Sequence, residues 1–514
     1  MTESEQRESE TTELDPGERY QSQLLRGVFV NVVGLVAKLF HPVFYLALTW
    51  AFGPALMGVY FTAVFASEIA LSLVGSGFAD ATTIYASHHA DDERAEATGK
   101  LYTLLGNIFA ITLGASALVI VVAHLGADAF ASAWYADYPD LGPAFVLLAW
   151  SIPFSVVSQV AIAATKARFR MEYDALIVGF LTPFCITAFS LVAWWLGAGL
   201  EGLMVANLVT RIVVAVASVW AMGRNFELGR ILRAALAPKW DRAVLAFSLP
   251  QNLNLTFNRY NTRLDAIMLG ALGSAPEIVA FYSTGSIITT NIRQIKLVFS
   301  SSLAPIVARH HHAGETKAFE SVLSRISRWT TSMVIAAILA LIVLRDDIVR
   351  LVDESYVGDT SFIVVLLLPP FLSCAVGLAG NCITWCGHSR WTLLNSSLIA
   401  GVNTVLNLVL IPPYGLLGAA TATAIAALSI SVLQLWELHE LEGVVIRWSA
   451  VWWPHVAFAI VGAATLLVFG DPASVGSVLG RIGLAVGLLV AYVALLWGLG
   501  HPEVRARVSS AASG

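Results

Sequence analysis

Apolar side chains in this sequence come in long blocks. Windows of about 20 predominantly apolar residues, the length needed to cross a hydrocarbon core, fall at 27–52, 58–86, 101–125, 142–165, 174–198, 201–223, 244–271, 277–308, 322–344, 360–386, 391–412, 415–437, 450–469 and 478–499. We number these spans 1 to 14. Gly and Pro punctuate the turns between them, as in Gly53-Pro54, Gly197-Ala198-Gly199, Pro412-Pro413-Tyr414-Gly415 and Gly470-Asp471-Pro472. Backbone polar groups in lipid must be satisfied internally, so such blocks are expected to be helices. The pattern predicts an all-α integral membrane protein of about 14 transmembrane helices.

The turns repeat. Phe52-Gly53-Pro54, followed by Gly58-Val59-Tyr60, corresponds to Leu272-Gly273-Ser274, followed by Ala280-Phe281-Tyr282, at an offset of 220 to 222. Gly199-Leu200-Glu201-Gly202 corresponds to Gly415-Leu416-Leu417-Gly418 at an offset of 216. Two six-span halves in the same orientation follow, related by an axis along the membrane normal. The expected layout is an acidic disordered tail (1–23), a first six-helix bundle (24–224), an amphipathic linker (225–243), a second bundle (244–440), two added spans (450–499) and a second tail (500–514).

Composition supports lipid as the solvent. Hydrophobic residues make up 57% and charged residues 13% of the 514, where soluble domains are nearer a quarter charged; mean hydropathy is +0.73. The acidic start lacks the basic and apolar regions of a cleavable signal peptide. Basic residues crowd into the tails and the loops after even-numbered spans, twenty-one of the 30 in all; only Arg345, Arg350 and Arg481 fall after odd-numbered spans. By the positive-inside tendency both termini are expected to be cytoplasmic, in a plasma (inner) membrane.

The remaining basic residues lie within spans: Lys38, Arg211, Arg259, Arg263, Arg293 and Lys296, with the acids Glu68, Asp80 and Asp265. Ionisable groups at that depth cost a few kcal/mol or more and face cavities or partners. In span 8, Ser286, Thr289, Arg293, Lys296 and Ser300 are three or four residues apart, so they stack on one helical face. Asn252, Thr256, Arg259 and Arg263 do the same in span 7, and span 1 offers Asn31, Lys38, His41 and Tyr45. The repeat offset puts Lys38 within one residue of Arg259. Together these stripes predict a cationic, water-filled central cleft for an anionic ligand. Lys38, Arg259, Arg263, Arg293 and Lys296 are its candidate contacts. Glu68, Asp80, Asp265 and Arg211 are candidates for ion coupling or charge pairing; the acids are too few to neutralise all the cations.

Arg263-Leu-Asp265-Ala-Ile-Met-Leu-Gly270 with Tyr282, and Ile411-Pro412-Pro413-Tyr414-Gly415-Leu-Leu-Gly418-Ala-Ala420, resemble the polysaccharide transport proteins, the Wzx-type flippases of the multidrug/oligosaccharidyl-lipid/polysaccharide exporter superfamily. The resemblance extends over the whole chain in span number, orientation and half-repeat. It implies a V-shaped pair of bundles that moves a lipid-linked oligosaccharide across the membrane by alternating access. Membrane lipids and other polysaccharide assembly proteins are the implied partners. A polyprenyl-(pyro)phosphate would supply the anion for the cationic stripes.

Two other readings stand beside this one. A multidrug or cation antiporter of the same superfamily would want an acidic first half, whereas span 1 holds Lys38 and no acid. A membrane-embedded glycan polymerase or ligase would want a large outward loop; the longest here are 127–141 and 345–359. No nucleotide-phosphate loop is present, and neither nucleic acid nor catalysis is expected. Cys382 and Cys386, four apart with His388 nearby, are assigned to packing, and His310-His311-His312 to a solvated loop, so no metal or other cofactor is expected. Trp134-Tyr135 and Trp452-Trp453 are read as interface anchors.

Overall fold

A computed structural model describes residues 42–87, 95–168, 170–238, 242–296, 307, 311, 315–353, 360–376, 378–386, 388–446 and 448–498. Among these the regular structure is helical throughout. Span 2 is Pro54–Ser87, span 3 Gly99–Trp134, span 4 Leu141–Ala167, span 5 Asp174–Trp195, span 6 Gly199–Gly223, span 13 Val451–Phe469 and span 14 Val478–Gly498. Spans 11 and 12 form one run, Arg390–Glu442, broken at Gly415. Span 1 is described from Pro42 to Phe52; Lys38 and His41 lie outside the described residues. By length and composition eight described helices can cross a membrane, or nine if the bent pair Ser361–Ala375 and Ala379–Trp385 (span 10) is one span.

Spans 7 (Arg242–Ala271), 8 (Pro276–Asn291) and 9 (Thr316–Val352) fall outside that group. Span 7 is long enough, yet Asn252, Asn254, Thr256, Asn258, Arg259 and Asn261 make it polar. Such a helix needs protein or water around it, not lipid.

The half-repeat reappears in the backbone. Gly53 and Gly273 turn with φ of 81° and 88°, and Gly199 and Gly415 with φ of 55° and 52°. An L side chain in this left-handed region costs about 1–2 kcal/mol. The glycines that betray the repeat in the sequence are therefore the residues that make its turns.

Two ends of the molecule differ in packing. At the end bearing the turns at Gly53, Gly273 and Gly415 (the far end), one apolar core runs through both halves, joining Tyr60, Phe61 and Leu148 to Leu269, Phe281 and Ile411. Span 2 approaches span 8 so closely there that a Cβ on Gly58 would lie 1.9 Å from the Pro276 carbonyl oxygen. Tyr135 and Tyr138 donate hydrogen bonds across the halves to the carbonyls of Ile267 and Ser274, both at 2.9 Å. Tyr135 is thus buried rather than an interface anchor, while Trp134 is exposed. At the opposite, basic end the packing divides into two cores, one around Leu105, Val160 and Ile231 that also takes in Val244 of span 7, and one around Phe319, Leu378 and Leu438. The V implied by the resemblance is nonetheless closed along span 2. Near the basic end the Gly77 amide donates to Asn252 Oδ1 of span 7 at 2.5 Å.

The linker contains a helix, Leu228–Leu236, with Ile231 buried and Leu232 and Leu236 exposed on its other side. Spans 13 and 14 join the second half through span 9. The buried Arg481 of span 14 donates from Nε to Asp347 Oδ2 at 2.7 Å and from Nη1 to the carbonyls of Val475 and Gly476. Arg345 pairs with Asp471 in the turn between spans 13 and 14. Two of the three basic residues after odd-numbered spans are therefore held in ion pairs. Removing one partner of a buried pair strands the other charge and costs about 3–5 kcal/mol. Arg481→Ala is expected to lower the thermal midpoint of the purified protein markedly, and Arg350→Ala, at an exposed site, to leave it nearly unchanged. Equal midpoints would overturn the pairing as a stabilising contact.

Candidate functional site

Two cavities flank span 7, and Asn258 and Thr262 line both. The larger, about 540 Å³, lies on the side of the first half. Its polar lining includes Asp80, Gln159, Lys166, Arg211 and Arg259. The smaller, about 280 Å³, lies within the second half. Its wall combines Arg293 and Lys296 with amides and hydroxyls, among them Asn261, Ser373, Asn395, Asn403 and Gln434. The predicted single cleft is therefore divided, with span 7 as the shared wall.

Helical spacing explains the sorting. Arg259 and Arg263 are one helical turn apart on span 7, and Arg293 and Lys296 lie just past Asn291, where the described helix of span 8 ends, in three-residue turns, so each pair projects to one side. The pairs meet different surroundings. Arg263 Nε donates to Glu68 Oε2 at 2.9 Å, and its guanidinium carbon stands 4.2 Å from the Phe65 ring centroid. Arg259 approaches the same carboxylate at 3.8 Å. Its side chain remains 47% exposed, whereas that of Arg263 is 13% exposed. Arg263 is thus engaged in a tie between span 2 and span 7, while Arg259 stays half-exposed on the cavity side.

In the smaller cavity no acid lies within ion-pair distance of Arg293 or Lys296 among the described residues. Lys296 Nζ donates to Ser373 Oγ at 2.6 Å. Arg293 Nε is buried without a hydrogen-bond partner among the described residues. A buried guanidinium nitrogen left unpaired is costly, and an anionic oxygen would satisfy it. Arg211, a candidate for charge pairing, faces the larger cavity, also without an acid at pairing distance among the described residues. Lys38 cannot be placed against either cavity, since it lies outside the described residues.

The acids separate likewise. Glu68 is the charge partner. Asp80 accepts from Gln251 Nε2 at 2.8 Å, a contact between span 2 and span 7. Asp265 is buried and pairs with no cation among the described residues. It accepts from Tyr282 Oη at 3.0 Å, Asn403 Nδ2 at 3.2 Å, Asn407 Nδ2 at 2.8 Å and the Thr423 hydroxyl. Four neutral donors tie span 7 to spans 8, 11 and 12 and make Asp265 an organiser of the second half.

These contacts unite a carrier-like geometry with one sequence family. The family model described as "Polysaccharide biosynthesis protein" matches residues 52–353. The chain belongs to that family. Among curated proteins, this polysaccharide biosynthesis protein is 22% identical over 355 residues to the "Probable low-salt glycan biosynthesis flippase Agl15" of Haloferax volcanii, covering 67% of this chain and 71% of the relative. Among solved structures it resembles lipid II flippase MurJ in an inward closed conformation, with a TM-score of 0.67 and 13% identity over 92% of this chain and all of the other. It also resembles an inward-facing multidrug resistance transporter of the MATE family and MOP superfamily, with a TM-score of 0.63 and 14% identity over 80% of this chain and 99% of the other. The fold of this family member is thus that of the exporter superfamily expected from its motifs, and the protein is a multi-pass membrane protein.

Several site residues escape helical spacing. Lys166 and Asp174, an ion pair of 2.9 Å, join the wall of the larger cavity from the facing ends of spans 4 and 5. Asn395 and Gln434 come from spans with no charged stripe. Asn258 and Thr262, four apart on span 7, carried a usable signal beside the arginines.

The tie at Glu68 gives a direct expectation. Glu68→Gln leaves Arg263 against Phe65 without its charged partner and is expected to destabilise the protein by about 2 kcal/mol. The swap Glu68→Arg with Arg263→Glu is expected to recover much of the thermal midpoint that either reversal alone removes. A swap no better than the singles would show that the pair contributes nothing.

Proposed function

We propose that the protein flips a polyprenyl-(pyro)phosphate-linked oligosaccharide across the plasma membrane for surface polysaccharide assembly. The observation that carries this reading is the pair of cations Arg293 and Lys296, with no acid at pairing distance among the described residues, in a cavity whose other polar lining is amides and hydroxyls. A phosphate oxygen supplies what Arg293 Nε lacks, and the planar guanidinium favours phosphate geometry. Amides and hydroxyls suit a sugar head group, replacing its hydration as it leaves water. The polyprenyl tail stays in lipid, so only the head must be neutralised and solvated.

Orientation follows from the loop charges. The basic end faces the cytoplasm, and the polar cavities lie toward it, away from the far-end core shared by both halves. Alternating access then requires the far-end contacts at Gly58, Tyr135 and Tyr138 to part while the basic end closes. Of the acids weighed for ion coupling, Asp265 is buried and has no cationic partner among the described residues, so cation or proton binding there would compete with its four donors. The antiporter reading requires a cation to enter walls that are themselves cationic.

Proteoliposomes containing the purified chain test the reading directly. A fluorescent polyprenyl-pyrophosphate oligosaccharide is expected to become accessible to an impermeant lectin at a rate well above that of empty vesicles. Transport of cationic drugs with no movement of the lipid-linked sugar would favour the antiporter instead. Conversion of the sugar lipid to longer or protein-bound glycan would favour the polymerase or ligase.

A further inference from the structure

We propose that the basic end of the second half carries a transition-metal site, suited to Zn²⁺, built from His311, Cys386 and Glu442 with His388 in support. One ligating atom from each of His311, Cys386 and Glu442 lies within 4.8 Å of the others. His311 Nδ1 is 2.7 Å from Glu442 Oε2, and His388 Nε2 is 2.9 Å from Glu442 Oε1. The carboxylate is thus bracketed by two imidazoles, with a free thiol beside it. The residues come from three separate parts of the chain: the connection after span 8, the turn between spans 10 and 11, and the end of span 12. All are partly buried.

The Cys386 thiol also hydrogen-bonds the Glu442 carboxylate, so two imidazoles and a thiol converge on one carboxylate. Sulfur, nitrogen and carboxylate oxygen are the donors that zinc takes in four-coordinate sites, and the fourth position takes water or a further imidazole. His388 holds the second carboxylate oxygen, the place of an outer-shell partner that orients a ligand, and is also close enough in sequence to Cys386 to swing in as the fourth ligand. Metal entry would release the Cys386 thiol proton and exchange the His311–Glu442 hydrogen bond for two bonds to the ion. Helical spacing pairs Cys386 with Cys382, which is instead buried in the apolar core beside Leu378 and Ile383. The ligand partner is His311, far away in sequence, so packing alone was the natural expectation from the sequence.

The location gives the site a role. Ile383 and Thr392, three and four residues from Cys386 and His388, line the smaller cavity. An ion there would clasp the connection after span 8 to the rim of that cavity and hold the basic end of the second half together.

Cobalt and zinc titration of the full-length protein, purified in detergent and stripped with a chelator, tests the site. One Co²⁺ per chain is expected, with the absorption of a tetrahedral ion and a thiolate-to-cobalt charge-transfer band, and one Zn²⁺ is expected to displace it. Cys386→Ser is expected to abolish the charge-transfer band, and His311→Ala to lose stoichiometric binding. His388→Ala is expected to weaken affinity by about 10–100-fold. A variant lacking His310 and His312 but keeping His311 is expected to bind as the native protein does. Absence of the thiolate band in the native protein, undiminished binding by Cys386→Ser, or loss of binding in the His310/His312 variant would each overturn the proposal. The native spectrum decides the question even where a variant fails to fold.

Discussion

Arg293→Glu is expected to abolish movement of the lipid-linked sugar while the protein remains folded in the membrane. Arg293 Nε is buried and without a hydrogen-bond partner among the described residues, so an anionic oxygen there would meet a donor. Each charge-assisted hydrogen bond is worth about 1.5–3 kcal/mol, so Arg293→Ala alone is expected to weaken head-group binding by roughly 10- to 100-fold. Reversal adds repulsion between the new carboxylate and the phosphate, in a cavity where water screens poorly. Lys296→Glu is expected to act in the same direction, and Arg259→Glu likewise from the other cavity. The measurements are surface polysaccharide in the native host and flipping in proteoliposomes, each beside the amount of protein in the membrane. Normal surface glycan with Arg293→Glu at native protein levels would remove the smaller cavity from the transport path.

Gly58→Leu is expected to hold the far end open. At Gly58 a Cβ would stand 1.9 Å from the Pro276 carbonyl oxygen, with the Pro276 carbonyl carbon and Cα at 2.4 and 2.8 Å. These are backbone atoms and cannot swing away as a side-chain tip can. Spans 2 and 8 must separate, and overpacking of this kind costs about 1–3 kcal/mol. A bistable carrier is thereby shifted by roughly 10- to 100-fold toward the arrangement in which the two halves part there. Spin-label distances across the far ends of spans 2 and 8 are expected to lengthen, and transport to fall by about tenfold or more. Unchanged distances would mean that the close approach is not the far-end seal.

The sequence was most informative where geometry depends on local residues. Apolar blocks and glycine turns located the spans because a helix in lipid must satisfy its own backbone, and because Gly53, Gly199, Gly273 and Gly415 adopt conformations unfavourable to other residues. Spans 7, 8 and 9 show the limit of hydropathy, since their polar residues serve cavities and neighbouring helices. The paired cations of span 8 were legible from their three-residue spacing. The fate of Arg263 was not, because its partner Glu68 lies 195 residues away and helical periodicity says nothing about which distant carboxylate a helix meets. The same holds for Asp265, whose donors on spans 11 and 12 are uncharged. The single central cleft became two because spacing predicts a shared helix face, but not how neighbouring helices divide the space beside it.

Span 7 stands between those two spaces and belongs to the second half. The chamber of the first half therefore borrows a wall from its neighbour, and Arg259 travels with that wall. Any tilt of one half against the other must change the capacity of the larger chamber and the placement of its positive charge together. A bound head group that prefers one placement acts on the tilt by its difference in affinity, whatever else drives the cycle. Cargo and gate are then thermodynamically linked through a single helix.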